Sequence, residues 1–310
     1  MISFLAIAIA AGFASALLAT ASQTGPGLGV FLGFLSPLPL MIAAIGWHPL
    51  LALFGGALTA AFITEFFGWN AGLTFALVIM VPTYLLARII QEVEDSKRVG
   101  TVVMASAFYA VLIIIVFALT LSSDFEGYQA IIRKRLEFVL QSPNMQQFVA
   151  QLPPTGSPEA QKLVELMTEI MPILSAASFS LMYFLNIWLA CRIAQRSGML
   201  TFAWTPVWNM TLPRVLLPVV IATMLMAALP GYLGFAAELI SNAATLAITA
   251  LGYACIHHIT RGSSKRGFIL SALWVSTFAL AGLPALLMLL VGIAELAFGW
   301  RGRILPSRNS

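Results

Sequence analysis

Few side chains in this sequence could do chemistry, and most of those that could lie in or beside long apolar segments. Glu65 and Asn70 flank the end of one segment, and Glu238 and Asn242 lie four residues apart in another. Residues four apart share a helix face, and ionisable groups inside membrane spans commonly mark ligand or ion pathways. We therefore predict that these four side chains line an outward-facing pocket for a small solute. The alternatives are that Glu65 reaches the interface and that Glu238 and Asn242 satisfy each other.

The histidines and cysteines do not form a recognisable metal or catalytic motif. His257 and His258 are adjacent, so on a helix their side chains point about 100° apart and do not converge on one ion. Cys191 and Cys255 are too few for a disulfide framework or a zinc site. The sequence contains no phosphate-binding glycine loop, nucleophile elbow or metalloprotease motif. We expect no enzymatic activity, no cofactor and no metal centre.

The composition determines which class of protein could position these residues. The 310 residues include 16 Lys and Arg and 12 Asp and Glu, so that charged residues make up 9% and hydrophobic ones 60%. A soluble domain carries about 25% charged residues, and a chain of this length buries only about 75% of its surface on folding. These figures exclude a soluble enzyme, a nucleic-acid-binding domain and a disordered protein. They predict an all-α polytopic membrane bundle in contact with the lipid bilayer.

The apolar segments predict eight or nine spans, since one span needs about 20 residues. The segments form a single transmembrane domain (residues 1–298) followed by a short basic tail (299–310). They cover residues 2–21, 28–45, 49–67, 71–90, 101–121, 172–194, 213–229, 235–259 and 268–298. The first lacks a basic n-region, so we expect a retained helix rather than a signal peptide. The last is interrupted at Gly282-Leu283-Pro284. We expect one proline-kinked helix there, because the two legs of a hairpin, about 15 residues each, would reach only about 22 Å.

Lys and Arg cluster in three loops of the same parity, within residues 88–98, 192–196 and 261–266. The short loops of opposite parity hold none, which is the positive-inside pattern. We predict a multi-pass protein of the bacterial cytoplasmic (inner) membrane with a cytoplasmic N-terminus. Nine spans would place the basic tail outside, against this pattern, whereas a hairpin would return the tail inside.

Residues 122–171 predict an extracytoplasmic amphipathic insertion between spans five and six. Tyr128, Ile132 and Leu136 share one face of a helix. A turn at Pro153–Gly156 precedes Ser157, Pro158 and Glu159, which have the pattern of a helix start. The insertion could be a lid over a site, a packing element without ligand contact, or a surface that handles lipid at the outer leaflet.

Two sets of residues could bind a protein partner. Ala6, Ala10 and Ala14 repeat every four residues in the first helix, and small faces of this kind allow close helix contact in lipid. Arg192 and Arg196 lie one turn apart at the end of the sixth span. If this protein is a membrane scaffold or assembly protein, these arginines could dock its partner. Alternatively, they could only anchor the span on its positive side.

Two stretches resemble the YybS-like family of bacterial membrane proteins, whose function is unknown. The first is Phe34-Leu35-Ser36-Pro37-Leu38-Pro39-Leu40, followed by Gly46 and Gly55-Gly56. The second is Asn186-Ile187-Trp188-Leu189-Ala190 with Arg192, Arg196-Ser197-Gly198, Trp208 and Leu212-Pro213. The resemblance runs roughly from the first helix to the eighth. The N-terminal helices of that family are similar to the S components of energy-coupling-factor transporters. This implies a core that binds a vitamin or a metal and docks a transmembrane coupling protein through the alanine-rich first helix, although this sequence predicts more spans than S components have.

Overall fold

The computed structural model describes residues 4–21, 27–141, 157–280 and 282–301, and these ranges contain helices but no β-strand. The helices are α1 (Phe4–Ala21), α2 (Leu28–Phe34), α3 (Leu38–Gly46), α4 (Leu50–Phe67), α5 (Trp69–Phe75), α6 (Val81–Glu92), α7 (Arg98–Leu121), α8 (Phe125–Leu140), α9 (Pro158–Arg196), α10 (Leu216–Met226), α11 (Gly231–Ile259), α12 (Arg266–Ala279) and α13 (Leu283–Phe298). A π-helical turn (Ala76–Met80) joins α5 to α6.

The predicted helical membrane bundle is confirmed, with a different number of full-length spans. Seven helical segments in the described ranges are long and apolar enough to cross a membrane: α1, α2 with α3, α4, α5 with α6, α7, α9 and α11. The predicted span at 213–229 is reduced to α10, whose 11 residues reach only about 16 Å. Prolines at both ends limit this helix, since Pro213 precedes it and Pro230 follows it.

The last apolar stretch is a hairpin, so the expected single kinked helix is wrong. The Arg266 guanidinium lies 5.5 Å from the centre of the Trp208 ring, and Arg301 Nη1 donates to the Trp208 carbonyl at 2.9 Å. One helix from 266 to 301 would separate these two residues by about 52 Å. The chain therefore reverses between α12 and α13, where Gly282 adopts a left-handed conformation with φ of 84°.

The legs of this hairpin are too short to cross the bilayer. Their 14 and 16 residues extend about 21 and 24 Å, against a hydrocarbon core of about 30 Å. The hairpin therefore enters and leaves at one face of the bundle. This places Arg301 at the same end as the basic loops, in agreement with the positive-inside pattern.

The basic loops meet at one end of the bundle, called here the basic end. Buried Arg98 pairs with Asp95 and donates to the carbonyls of Ile90, Val93 and Ala203. These bonds tie the loop before α7 to the segment after α9. Helix α1 also starts at this end, because the Phe4 ring packs against His48 and Phe54 at the start of α4, and Gly46 just before them touches Met199 of the segment after α9. The first helix thus starts at the same end of the bundle as the basic loops.

The insertion contains the predicted amphipathic helix, α8. The Asp124 carboxylate caps α8 by accepting the Gly127 N–H at 2.6 Å, and Tyr128 is buried against Phe125 and Phe235. The predicted helix start at Ser157 is confirmed, since its hydroxyl accepts the Ala160 N–H at 3.1 Å. Helix α9 then runs for 39 residues. The predicted turn at Pro153–Gly156 and the tail beyond residue 301 lie outside the described residues.

Candidate functional site

The four predicted pocket residues form two separate pairs. Glu65 lies in the last turn of α4 and Asn70 in the first turn of α5, and both are exposed, as are Glu238 and Asn242 on α11. Neither α4 nor α5 packs extensively against α11. Asn242 Nδ2 donates to the Glu238 main-chain oxygen at 2.9 Å. Asn242 lines a groove of about 250 Å³ between α9, α11 and α13 that the other three residues do not line. The structure does not bring the pairs into one pocket, and the binding roles stay predictions.

The first helix presents two different small-residue faces. On the inner face, a Cβ added to Gly12 would lie 2.5 Å from the Gly55 oxygen, so α1 and α4 touch backbone to backbone. On the opposite face Ala6 and Ala10 are exposed and Ala14 is partly exposed. The predicted docking track therefore lies on the outside of the bundle, while a different track makes the internal contact.

Arg192 and Arg196 lie on the exposed surface at the basic end of α9. The Arg192 guanidinium is 5.8 Å from the centre of the Trp188 ring. Among the described residues neither arginine forms an ion pair. Both charges therefore remain available to an anionic surface or partner.

A polar site in the middle of the bundle was not predicted from the sequence. Its first part is the break between α2 and α3, where Pro37 interrupts the helix. Asn186 Nδ2 donates to the Phe34 carbonyl at 2.8 Å and to the Met182 carbonyl at 2.7 Å. The Ser15 hydroxyl donates to the Ser36 carbonyl at 2.6 Å. Side chains of α1 and α9 thus supply the hydrogen bonds that the broken helix lacks, as a low-dielectric surrounding requires.

The second part is the π-helical turn. Pro82 has no N–H to offer the carbonyls one turn earlier, and two tyrosines donate instead. Tyr109 OH donates to the Leu77 carbonyl at 2.8 Å, and Tyr183 OH donates to the Val78 carbonyl at 2.9 Å. The two tyrosine rings pack edge to face with centres 5.8 Å apart. Helices α7 and α9 are thereby joined to the irregular turn.

Three polar atoms near these tyrosines have no hydrogen-bond partner among the described residues: Thr83 Oγ1, Ser106 Oγ and Asn186 Oδ1. Their residues are at most 1% exposed. Helices α6 and α9 run toward the basic end and α7 runs away from it. All three residues therefore lie three to six positions, or about one to two turns, closer to that end than the tyrosines or the carbonyls they bind. Unpartnered buried polar atoms are costly and rare. These three residues, with Tyr109 and Tyr183, are called here the polar layer.

A second concave feature lies under the amphipathic insertion. Helices α7, α8 and α9 enclose a groove of about 310 Å³ lined mainly by apolar side chains, with Arg135 as its charged residue. Tyr128, Ile132 and Leu136, predicted to share a face, all line this groove. The insertion therefore packs its apolar face on the bundle.

Seven candidate spans and an interior of mainly apolar side chains define a polytopic helical membrane protein. Residues 13–296 match the family described as "Predicted membrane protein (DUF2232)", and the chain belongs to that family. No curated protein and no solved structure matches the chain.

Proposed function

We propose that this protein binds a small uncharged solute within the bundle and moves it across the bacterial cytoplasmic membrane, without catalysing a reaction. The polar layer is the observation that carries the proposal. Transporters typically place their substrate sites near the bilayer midplane, beside interrupted helices. Here a broken helix and a π-helical turn both accept hydrogen bonds from α9, through Asn186 and Tyr183, which lie three residues apart.

The chemistry of the polar layer favours an uncharged, hydrogen-bonding solute. Its side chains are hydroxyls and one amide, which can donate or accept hydrogen bonds but carry no charge. Divalent metals prefer carboxylate, imidazole or thiolate ligands. The described residues contain no group of three or more such side chains that could hold a metal ion.

An S-component-like arrangement accounts for the surface of α1. The exposed Ala6, Ala10 and partly exposed Ala14 offer a smooth face on which a transmembrane coupling protein could pack. The proposed orientation places the start of α1 in the cytoplasm, together with the basic end.

Native mass spectrometry of the protein purified from cell membranes tests the proposal. We expect a non-lipid adduct on the wild type that is lost from T83V and S106A, which remove hydroxyls with little change of shape. T223V is the matched control, because its hydroxyl bonds within its own helix, to the Val219 carbonyl at 2.8 Å. An adduct retained equally by all variants, or no adduct on the wild type, would refute the solute-binding proposal.

A scaffold role is the second candidate, and the unpaired, exposed arginines of α9 favour it. If that role is correct, the protein should co-purify with a protein partner in mild detergent, and R192Q/R196Q should release the partner. Recovery of the same partner with T83V, in the absence of any adduct, would favour the scaffold over the transporter. A lipid adduct displaced by bulky substitutions at Ile132 would instead favour lipid handling in the groove under α8.

A further inference from the structure

Three arginines converge on one tryptophan at the basic end. The guanidinium carbons of Arg261 and Arg266 each lie 5.5 Å from the centre of the Trp208 ring. Arg301 is only 8% exposed and donates to the carbonyls of Trp208 and Met210, both at 2.9 Å. The loop between α11 and α12 and the end of α13 are thus joined at Trp208.

The charges of these arginines are not balanced equally. Arg301 pairs with Glu295, with Nε and Oε1 3.3 Å apart. In the described part of the chain neither Arg261 nor Arg266 has a carboxylate partner. Each guanidinium carbon lies 5.5 Å from the same ring centre, so the two carbons are at most 11 Å apart, and their like charges repel across this distance. Exposed Lys265 adds a third positive charge beside them.

The position of this cluster suggests what could balance it. Arg261 follows the last turn of α11, and Arg266 begins α12. Both therefore lie where the chain crosses the membrane interface, the level of lipid phosphates, at which tryptophan is also enriched. Guanidinium groups bind phosphate oxygens in a bidentate manner, and basic pockets between spans bind anionic headgroups. His258 Nδ1, buried and without a partner among the described residues, is a further polar atom next to the cluster.

We propose that Arg261, Arg266 and Trp208 form a binding site for the phosphate of an anionic phospholipid. The bound phosphate offsets the repulsion between the two arginines, while the Trp208 ring holds their side chains in place. The lipid thereby fastens the α12–α13 hairpin to the loop before α10. This site is separate from the polar layer and does not depend on the solute-binding proposal.

Lipid retention in nanodiscs measures this site. The wild type is released from nanodiscs of mixed phosphatidylglycerol and phosphatidylcholine, and retained lipids are identified by native mass spectrometry. We expect retained phosphatidylglycerol on the wild type and on R192Q/R196Q, which removes two exposed arginines at the same end. We expect R261Q/R266Q to retain less phosphatidylglycerol, by a factor on the order of ten for each arginine lost. This factor corresponds to the loss of one hydrogen bond to a charged group.

A charge-conserving variant and a competition with inorganic phosphate complete the test. R261K/R266K keeps both charges and should fold like the wild type, but it loses the bidentate geometry, so its retention should be intermediate. Displacement of the lipid by millimolar inorganic phosphate would identify free phosphate as the competing ligand at the same site. Equal retention by the wild type and R261Q/R266Q, or equal retention of phosphatidylcholine and phosphatidylglycerol, would overturn the proposal.

Discussion

The crossing of α11 and α13 depends on two glycines, and Gly292→Ala tests how closely these helices pack. A Cβ added at Gly292 would lie 2.0 Å from the Ile248 carbonyl oxygen, and one added at Gly252 would lie 1.8 Å from the Met288 oxygen. Real Cβ atoms essentially never approach another atom closer than 3.0 Å. Since the obstacle is backbone rather than a mobile side chain, the alanine must push the two helices apart by at least about 1 Å at this point.

The energetic cost follows from this displacement. A gap of 0.5–1 Å removes about a quarter to a half of the dispersion energy of each atom pair across the contact. Overpacking of an ordered interior typically costs about 1–3 kcal/mol. We therefore expect Gly292→Ala to lower the free energy of unfolding by about 1–3 kcal/mol. The α12–α13 hairpin should loosen first, because α13 is held mainly by α11.

Equilibrium unfolding in mixed detergent and sodium dodecyl sulfate micelles, followed by circular dichroism, measures this change. Gly267→Ala is the matched control, because a Cβ at Gly267 has no atom within 4 Å. The control should unfold at the wild-type midpoint or slightly above it, because alanine favours a helix more than glycine does. If Gly292→Ala unfolded at that same midpoint, the close backbone contact between α11 and α13 would be refuted.

Three further predictions concern the basic end and the insertion. A topology reporter fused to the C-terminus should lie on the same side of the membrane as one inserted at Lys97; reporters on opposite sides would contradict the hairpin. Asp124→Ala removes the cap that accepts the Gly127 N–H at 2.6 Å and should destabilise α8 by about 1 kcal/mol, seen as faster hydrogen exchange in its first turn; unchanged exchange would contradict it. Burial, with a smaller contribution from Tyr232, raises the pKa of Tyr128 from 10.0 to about 12. Since the unfolded state then loses this proton first, the contribution of Tyr128 to stability is lost as the pH rises from about 10 to 12. The tyrosinate absorbance of the wild type minus that of Tyr128→Phe should titrate with a midpoint near pH 12. A midpoint near 10 would show that α8 does not pack Tyr128 against the bundle.

Local sequence patterns predicted the helices whose start or face is determined by neighbouring residues in the chain. Ser157 and Pro158 indicated the start of α9, and the alternation of apolar and charged residues indicated α8. The last apolar stretch was mispredicted because its two halves are too short to span the bilayer, which argued against a hairpin. The positive-inside pattern, which argued for a hairpin, was given less weight. A hairpin need not span the bilayer when its ends are held at one face, as Arg266 and Arg301 are held by Trp208.

The candidate site was hidden from the sequence for a different reason. Glu65 and Glu238 were conspicuous because charges in apolar segments are rare, yet both are exposed. Tyr109, Tyr183 and Asn186 are ordinary residues in apolar helices. Their importance depends on the carbonyls that Pro82 and the α2–α3 break leave without donors, and those carbonyls belong to other helices.

The sequence alone determined the class of protein, since scarcity of charge and long apolar segments are properties of composition and local order. It also determined that the basic loops share one side, because charge and parity are counted along the chain. Only the tertiary structure decided which helices meet and at what depth. Contacts such as Asn186 with Phe34 join residues 152 positions apart. Their pairing depends on the packing of the whole bundle, which local periodicity does not encode.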